Sequence, residues 1–270
     1  MNDNSQYPEL VTICIPVKNG ELFIQDAIDS CLTQTYKNYE ILIVDNASTD
    51  ATVNIVTSFS SKKINLLRNP IDIGITANFN LCIEHARGKY IKFLCADDVL
   101  NSNCIERMFL AFEMYPKASL VIAQRTIINN KDNIISKRKF SSNLDEIDGY
   151  KVINKCLFGA NFIGEPTAVM FRRSDALRGF SMKYRHLLDL EMWFHLLEKG
   201  TLVNIKEPLC SVRRHDQQMT VTSIKSGALL DDNKYLFQDY KDKSYIKKSL
   251  FNILKWKLLY IYRYVRYKKL

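Results

Sequence analysis

YIKFLCADDVL, residues 90–100, is an apolar run of strand length that stops on two adjacent carboxylates, Asp97 and Asp98. EILIVDNASTD, residues 40–50, has the same form, with Asp45 where the apolar run ends. In an open α/β sheet, ligands bind in the crevice beyond the carboxyl ends of the strands. Acids held there face a ligand rather than the core. Two neighbouring carboxylates repel each other. A hard cation, Mn2+ or Mg2+, relieves that repulsion and brings phosphates with it.

Outward from these two runs, the first hundred residues alternate between strand and helix patterns. LVTICIPV (10–17), 39–44, 64–67 and 90–94 read as strands. Residues 21–33, 50–58 and 75–86 read as helices, with Ser48 or Thr49 able to cap the second. Such alternation predicts a parallel sheet flanked by helices. After Leu100 the order loosens. Ser102 can cap a helix to Met114, and 119–123 reads as a strand. Residues 126–148 are expected to form a strand pair and a loop. Helices are expected at 150–158 and 189–199, a loop entering a strand at 164–172, a late strand at 202–205 and a loop at 211–222.

The chain has 270 residues, 47% hydrophobic and 25% charged, an ordinary globular composition. The polar start MNDNSQYPEL lacks an apolar signal core, and no run reaches about 18 apolar residues. The seven cysteines are odd in number and form no CxxC pair, which argues against zinc and a disulfide framework and for reduced thiols in a cytoplasmic protein. The net charge of +9 lies entirely in residues 241–270, which carry ten Lys or Arg against one acid. The rest balances at 28 basic and 28 acidic, so no basic face for nucleic acid is expected.

TICIPVKNG (12–20), EILIVDNASTDAT (40–52), NPIDIGITANFN (69–80), ARGKYIKFLCADDVL (86–100) and HLLDLEMWFHLLEKG (186–200), in this order and spacing, resemble the inverting glycosyltransferases of family 2. The resemblance covers roughly residues 10–220. It implies the GT-A fold, a Rossmann-like mostly parallel sheet flanked by helices. A nucleotide-sugar half would span about 8–100 and an acceptor half about 101–225, with a basic aromatic helical tail at 226–270. It also implies transfer of a sugar from a nucleotide-diphosphate donor, more specifically a UDP-sugar, to a hydroxyl of a glycan or lipid-linked acceptor in cell-surface polysaccharide synthesis.

On that resemblance, Pro16, Val17 and Asn19 lie along the base and ribose. Asp45 accepts the N3–H of uracil or a ribose hydroxyl. Arg68 or Asn78 reaches the nucleotide or diphosphate, and Gly74 lets backbone approach it. Asp97, Asp98 and His215 hold Mn2+ or Mg2+, and Arg213 or Arg214 pairs with phosphate oxygens. Cys95 stands where the family often has the first Asp of its Asp-X-Asp motif, leaving a ribose contact to Asp97. Glu165, Pro166 and Thr167 line the donor-sugar and acceptor pocket. Asp189 is the catalytic base, though Leu188 precedes it where the family often has Glu. Glu191, about 200° away on the helix, is the fallback.

In the tail, Asn252, Lys255, Arg263 and Arg266 fall within about 80° of helical arc, with apolar and aromatic residues over most of the rest. That pattern suits an anionic membrane surface, at the inner face of the cell membrane, or a helix packed on the body. Two rival readings remain in the sequence: a nucleotide-sugar-binding protein without turnover, and a tail-dominated membrane or RNA adaptor.

Overall fold

The computed structural model describes residues 9–140, 145–215 and 227–267. β1 (Val11–Val17), β2 (Tyr39–Asp45), β3 (Ile64–Arg68) and β4 (Tyr90–Phe93) pair in parallel in the order β3-β2-β1-β4. β2 is buried at every position and β1 at all but Pro16, as strands covered on both faces must be. The connecting helices are α1 (Ile24–Leu32), α2 (Thr52–Ser58) and α3 (Ile75–His85). α1 buries Ile24, Ala27, Ile28 and Cys31, the i, i+3, i+4, i+7 stripe of a helix laid on a sheet. The register aligns Val17 with Asp45 and Asp45 with Arg68, so one rim collects the ends of three strands.

The second half extends the same sheet. It contains β5 (Val99–Leu100), α4 (Cys104–Met114), β6 (Ala118–Ile128), β7 (Ile134–Arg138), β8 (Glu146–Asp148), α5 (Gly149–Leu157), β9 (Val169–Arg172), α6 (Leu188–Leu197) and β10 (Thr201–Arg213). β9 inserts antiparallel between β4 and β6, and β10 runs parallel to β6. This mostly parallel sheet flanked by helices is the expected fold class.

Three local expectations change. The late strand does not stop at Ile205 but continues to Arg213. Register shifts on both sides of Pro208 absorb the polar interruption KEP. Residues 211–213 therefore pair in the sheet, and 216–222 of the expected loop lie outside the described residues. Neither Ser48 nor Thr49 caps α2. Asp50 accepts the Thr52 amide at 3.0 Å, while the Ser48 hydroxyl accepts the Asn19 amide at 2.8 Å. α4 starts at Cys104, with Asn103 rather than Ser102 at its N-terminal boundary.

Beyond β10, α7 (Ala228–Tyr240) buries Leu229, Leu236 and Tyr240 in the core. α8 (Leu250–Tyr267) lies on α7 through Trp256, stacked on Phe237 at 3.9 Å between ring centroids. The expected basic stripe is divided by this docking. Arg263 turns inward to Asn233 Oδ1 and the Gly159 carbonyl, and Asn252 binds the Lys247 carbonyl, while Lys255 and Arg266 stay exposed. Among the described residues, no helix is long and apolar enough to cross a membrane. All seven cysteines are free, and six are buried.

Candidate active site

Asp45 closes β2 with no exposed surface. Its Oδ2 accepts the Ser48 amide at 3.2 Å and lies 3.5 Å from Arg68 Nε. Its Oδ1 has no partner among the described residues. A buried acceptor left unpaired carries the full desolvation penalty, and a ligand N–H or O–H that reached it by displacing the covering side chain would relieve that penalty. Arg68 is more than half exposed and overhangs the same carboxylate. Pro16 and Val17 end the neighbouring strand on this rim. Gly74 has φ +81° and open space where a Cβ would stand, so backbone geometry demands the glycine and the space leaves room for a ligand.

Two expected nucleotide contacts make hydrogen bonds within the fold. Asn19, itself at φ +52°, accepts the Thr49 amide at 2.9 Å and ties the exit of β1 to that of β2. It shapes the rim through its oxygen and stays exposed there. Asn78 is 3% exposed, donates to the Val44 carbonyl at 3.0 Å and accepts from Asn69 at 3.0 Å. Its amide is spent inside the fold, which removes it from the nucleotide. Sequence reasoning missed the network around it. Asn69 donates to Asn46, Asn46 donates to Asp72 at 2.6 Å, and Asp72 pairs with Lys18. The available signal was a cluster of short polar residues past two strand ends, Asn46 after β2 and Asn69 and Asp72 after β3.

At the tip of β4, the donor atoms of Cys95, Asp97 and Asp98 all lie within 4.8 Å of one another. The two carboxylates differ. Asp98 is 2% exposed, with one oxygen accepting the Thr167 hydroxyl at 2.5 Å and the other the Arg213 amide at 2.8 Å. Burial, then the charge of Asp97, push the Asp98 carboxyl well above the usual carboxylate range. Asp97 keeps solvent access, and its Oδ2 sits 3.1 Å from His215 Nε2. A carboxylate beside an imidazole is a donor set that Mn2+ accepts readily and Mg2+ less so. Asp98 stays one of the three donors within reach of a common ion, and its two hydrogen bonds also brace the loop behind Asp97.

Thr167 is fully buried, accepts the Cys95 amide at 3.0 Å, and offers its carbonyl to Lys92, a buried cation of β4. The turn carrying Glu165, Pro166 and Thr167 is thereby locked to the acid tip. Arg213 is not available to phosphate. It is 1% exposed, donates to the Asp97 carbonyl at 2.9 Å and to Asp132 at 2.7 Å, and lies over the Phe23 ring. Arg214 reaches Glu165 at 2.6 Å, and Arg125 pairs with the other Glu165 oxygen. Burial works to raise the Glu165 carboxyl, and the two guanidiniums together hold it below its ordinary value. Gly164, at φ +118°, makes room for Arg125, whose guanidinium carbon would stand 2.7 Å from an added Cβ.

Asp189 opens α6 half-buried. Burial pushes its carboxyl up to about 7, the Leu190 amide opposes that rise, and the charge of Glu165 adds to it. The interaction with Glu165 places Asp189 in electrostatic reach of the pocket turn. Glu191, the fallback base, is 4% exposed and bound bidentately by Arg178 at 2.7 and 2.8 Å, so it is a structural ion pair. Sequence reasoning also missed Asp232 of α7. A single oxygen of this buried carboxylate accepts the amides of Arg185, His186 and Leu187 at 3.0, 2.6 and 2.9 Å, gripping the segment that leads into Asp189.

A mostly parallel sheet flanked by helices, with carboxylates gathered beyond the carboxyl ends of its strands, is the arrangement of the GT-A class. The sequence profile described as "Glycosyl transferase family 2" matches residues 12–180, and the chain belongs to that family. The UDP-Glc:alpha-D-GlcNAc-diphosphoundecaprenol beta-1,3-glucosyltransferase WfgD of Escherichia coli is 30% identical over 221 residues, covering 81% of this chain and 80% of that protein. The crystal structure of S. aureus TarS 1-349 in complex with UDP-GlcNAc aligns at TM-score 0.69 and 13% identity, over 87% of this chain and 67% of that one. Mannosyltransferase PcManGT from Pyrobaculum calidifontis, in complex with GDP-Man and Mn2+, aligns at TM-score 0.65 and 16% identity, over 97% and 73%.

Proposed function

We propose that this glycosyltransferase moves a sugar, with inversion, from a UDP-sugar to a hydroxyl of a lipid-linked glycan in cell-surface polysaccharide synthesis. Asp45 would accept the uracil N3–H at its unpaired oxygen once Arg68 swings aside, and Arg68 would then meet the nucleotide beside it. Asp97 and His215 would hold a divalent cation, Mn2+ before Mg2+ because of the imidazole, braced by Asp98. When bound, that cation supplies positive charge to the departing diphosphate. Asp189 would take the proton of the acceptor hydroxyl as it attacks the anomeric carbon from the face opposite the diphosphate. Glu165, held by two arginines, and the Pro166–Thr167 turn would shape the sugar pocket between them. A lipid-linked acceptor calls for work at a membrane surface, which we place at the inner face of the cell membrane.

The observation that carries this reading is the acid tip of β4, where the donor atoms of Cys95, Asp97 and Asp98 lie within 4.8 Å of one another and Asp97 meets His215. The WfgD relative supports the donor and acceptor classes by its name. A thermal-shift panel of nucleotide sugars with and without Mn2+ tests it. The expected result is cation-dependent stabilisation by a UDP-sugar and not by other nucleotide sugars. Cys95, in place of the family's common first Asp, favours one rival, a protein that binds nucleotide sugar without turnover. UDP binding with no transfer to any lipid-linked acceptor supplied would establish the rival.

A further inference from the structure

α8 carries an apolar ridge that no other segment among the described residues covers. Phe251, Leu254, Leu258, Ile261 and Val265 are 73, 50, 67, 56 and 48% exposed. At about 100° per residue these five side chains fall within roughly 80° of arc. The opposite side of the helix is the docked side, through Trp256 on Phe237 and Arg263 on Asn233. The ridge is therefore turned away from the body. Exposed cations border it on both flanks: Lys255 and Arg266 on one, Lys257 on the other. A continuous exposed apolar stripe of this kind marks an interaction surface rather than scattered surface leucines.

We infer that this ridge, and not the basic stripe as such, is the protein's docking surface for an anionic lipid bilayer. The helix lies in the interface with Leu254, Leu258 and Ile261 buried among acyl chains and Lys255, Lys257 and Arg266 at the headgroups. Charge selects this occupant. Residues 241–270 carry a net +9, which repels a second copy of the same tail and attracts anionic headgroups. Since no helix among the described residues is long and apolar enough to cross, the helix lies on the bilayer instead of spanning it. The docking also has a route to the site. α8 stacks on α7, and Asp232 of α7 holds the segment leading into Asp189. Only one helix separates the lipid-facing ridge from the segment that carries the base. The inference gives the lipid-linked acceptor proposed above a physical meeting place, and it rests on that reading for its purpose but not for its test.

The full-length chain is sedimented with vesicles of pure phosphatidylcholine and with vesicles containing phosphatidylglycerol. Binding to the anionic vesicles is expected to be at least tenfold tighter and to weaken with salt. The variant carrying Leu254→Glu, Leu258→Glu and Ile261→Glu should lose at least tenfold in anionic-vesicle affinity while its UDP-dependent thermal shift stays at the wild-type value, since all three positions are exposed. A second variant, Lys255→Glu with Lys257→Glu and Arg266→Glu, should lose the anionic preference. Wild-type chain that ignores both vesicles overturns the proposal. So does a ridge variant that binds like wild type, or a concentration-dependent dimer that the ridge variant abolishes. Vesicle binding without any sugar transfer would leave this surface standing and remove the enzymatic reading, so the two fail separately.

Discussion

Replacing Asp189 with asparagine is expected to abolish transfer and, above pH 7, to make the folded chain more stable. The wild-type carboxyl is raised from 3.8 to about 7 in the fold. Between those values the native state holds a proton that the unfolded chain has released. Wild-type stability therefore falls as pH rises through that window and levels off above about 7. About three pH units separate the two states, and at about 1.4 kcal/mol per unit the ceiling is roughly 4 kcal/mol. Asp189 is only half-buried, so solvent reduces this to about 2 kcal/mol, or about 4–5 °C in Tm for a chain of this size. Asparagine is neutral at every pH and keeps an oxygen for the Leu190 amide, so it escapes the penalty. Loss of a general base costs about 10²–10⁴ in kcat. Thermal melts of both proteins at pH 5 and pH 8, with transfer assays on the same samples, read both effects. The stability gap should open on going from pH 5 to pH 8, while kcat/KM of the wild type falls below pH 7 as the base is protonated. A variant that still transfers, or one no more stable than wild type at pH 8, refutes the assignment of a strained base to Asp189.

Asp45→Ala should weaken UDP by roughly tenfold or more, the scale of one charge-assisted hydrogen bond, measured by calorimetry. Asp97→Asn should erase the Mn2+-dependent part of the UDP-sugar thermal shift while leaving the apo Tm within about 2 °C. Asp98→Ala should lower the apo Tm clearly, because it strands the Thr167 hydroxyl and the Arg213 amide in the interior. Equal behaviour of the two variants would contradict the division between ligand and brace. Asp232→Asn should lower kcat by about tenfold or more with the donor KM unchanged, and displace the acid limb of the pH profile, because it loosens the segment ahead of Asp189. A change in donor KM alone would make Asp232 irrelevant to the base.

β1, β2 and β4 were legible because they are buried on both faces. A run such as EILIVD has few alternatives to a central parallel strand, and an acid at its end must leave the core. The rim positions of Asp45 and Asp97 followed from that alone. Asp189 did not. Its helix was legible, but its role came from family resemblance, and the rejection of Glu191 needed Arg178, thirteen residues earlier in the chain. Asn78 shows the same limit from the other side. A polar residue on an amphipathic helix looks free until Val44 and Asn69, from other segments, are seen to use both ends of its amide.

Periodicity fixes the angles between side chains on a helix, but not which angle faces inward. In α8 the arc holding Asn252, Lys255, Arg263 and Arg266 read as one basic face, which put the lipid contact among the cations. The zero of that wheel is set by tertiary contacts, Trp256 stacked on Phe237 and Arg263 reaching Asn233 and the Gly159 carbonyl. Once these are placed, half of the basic arc turns to the body and the leucines turn out. The same contacts make α7 a shared element. One of its faces takes the stacking of α8, and its Asp232 takes three amides from the segment ahead of Asp189. Three N–H groups converging on one oxygen fix position more tightly than any one of them, and a shift of α7 would be felt at all three. A tail read as an appendage is therefore two contacts away from the proposed base.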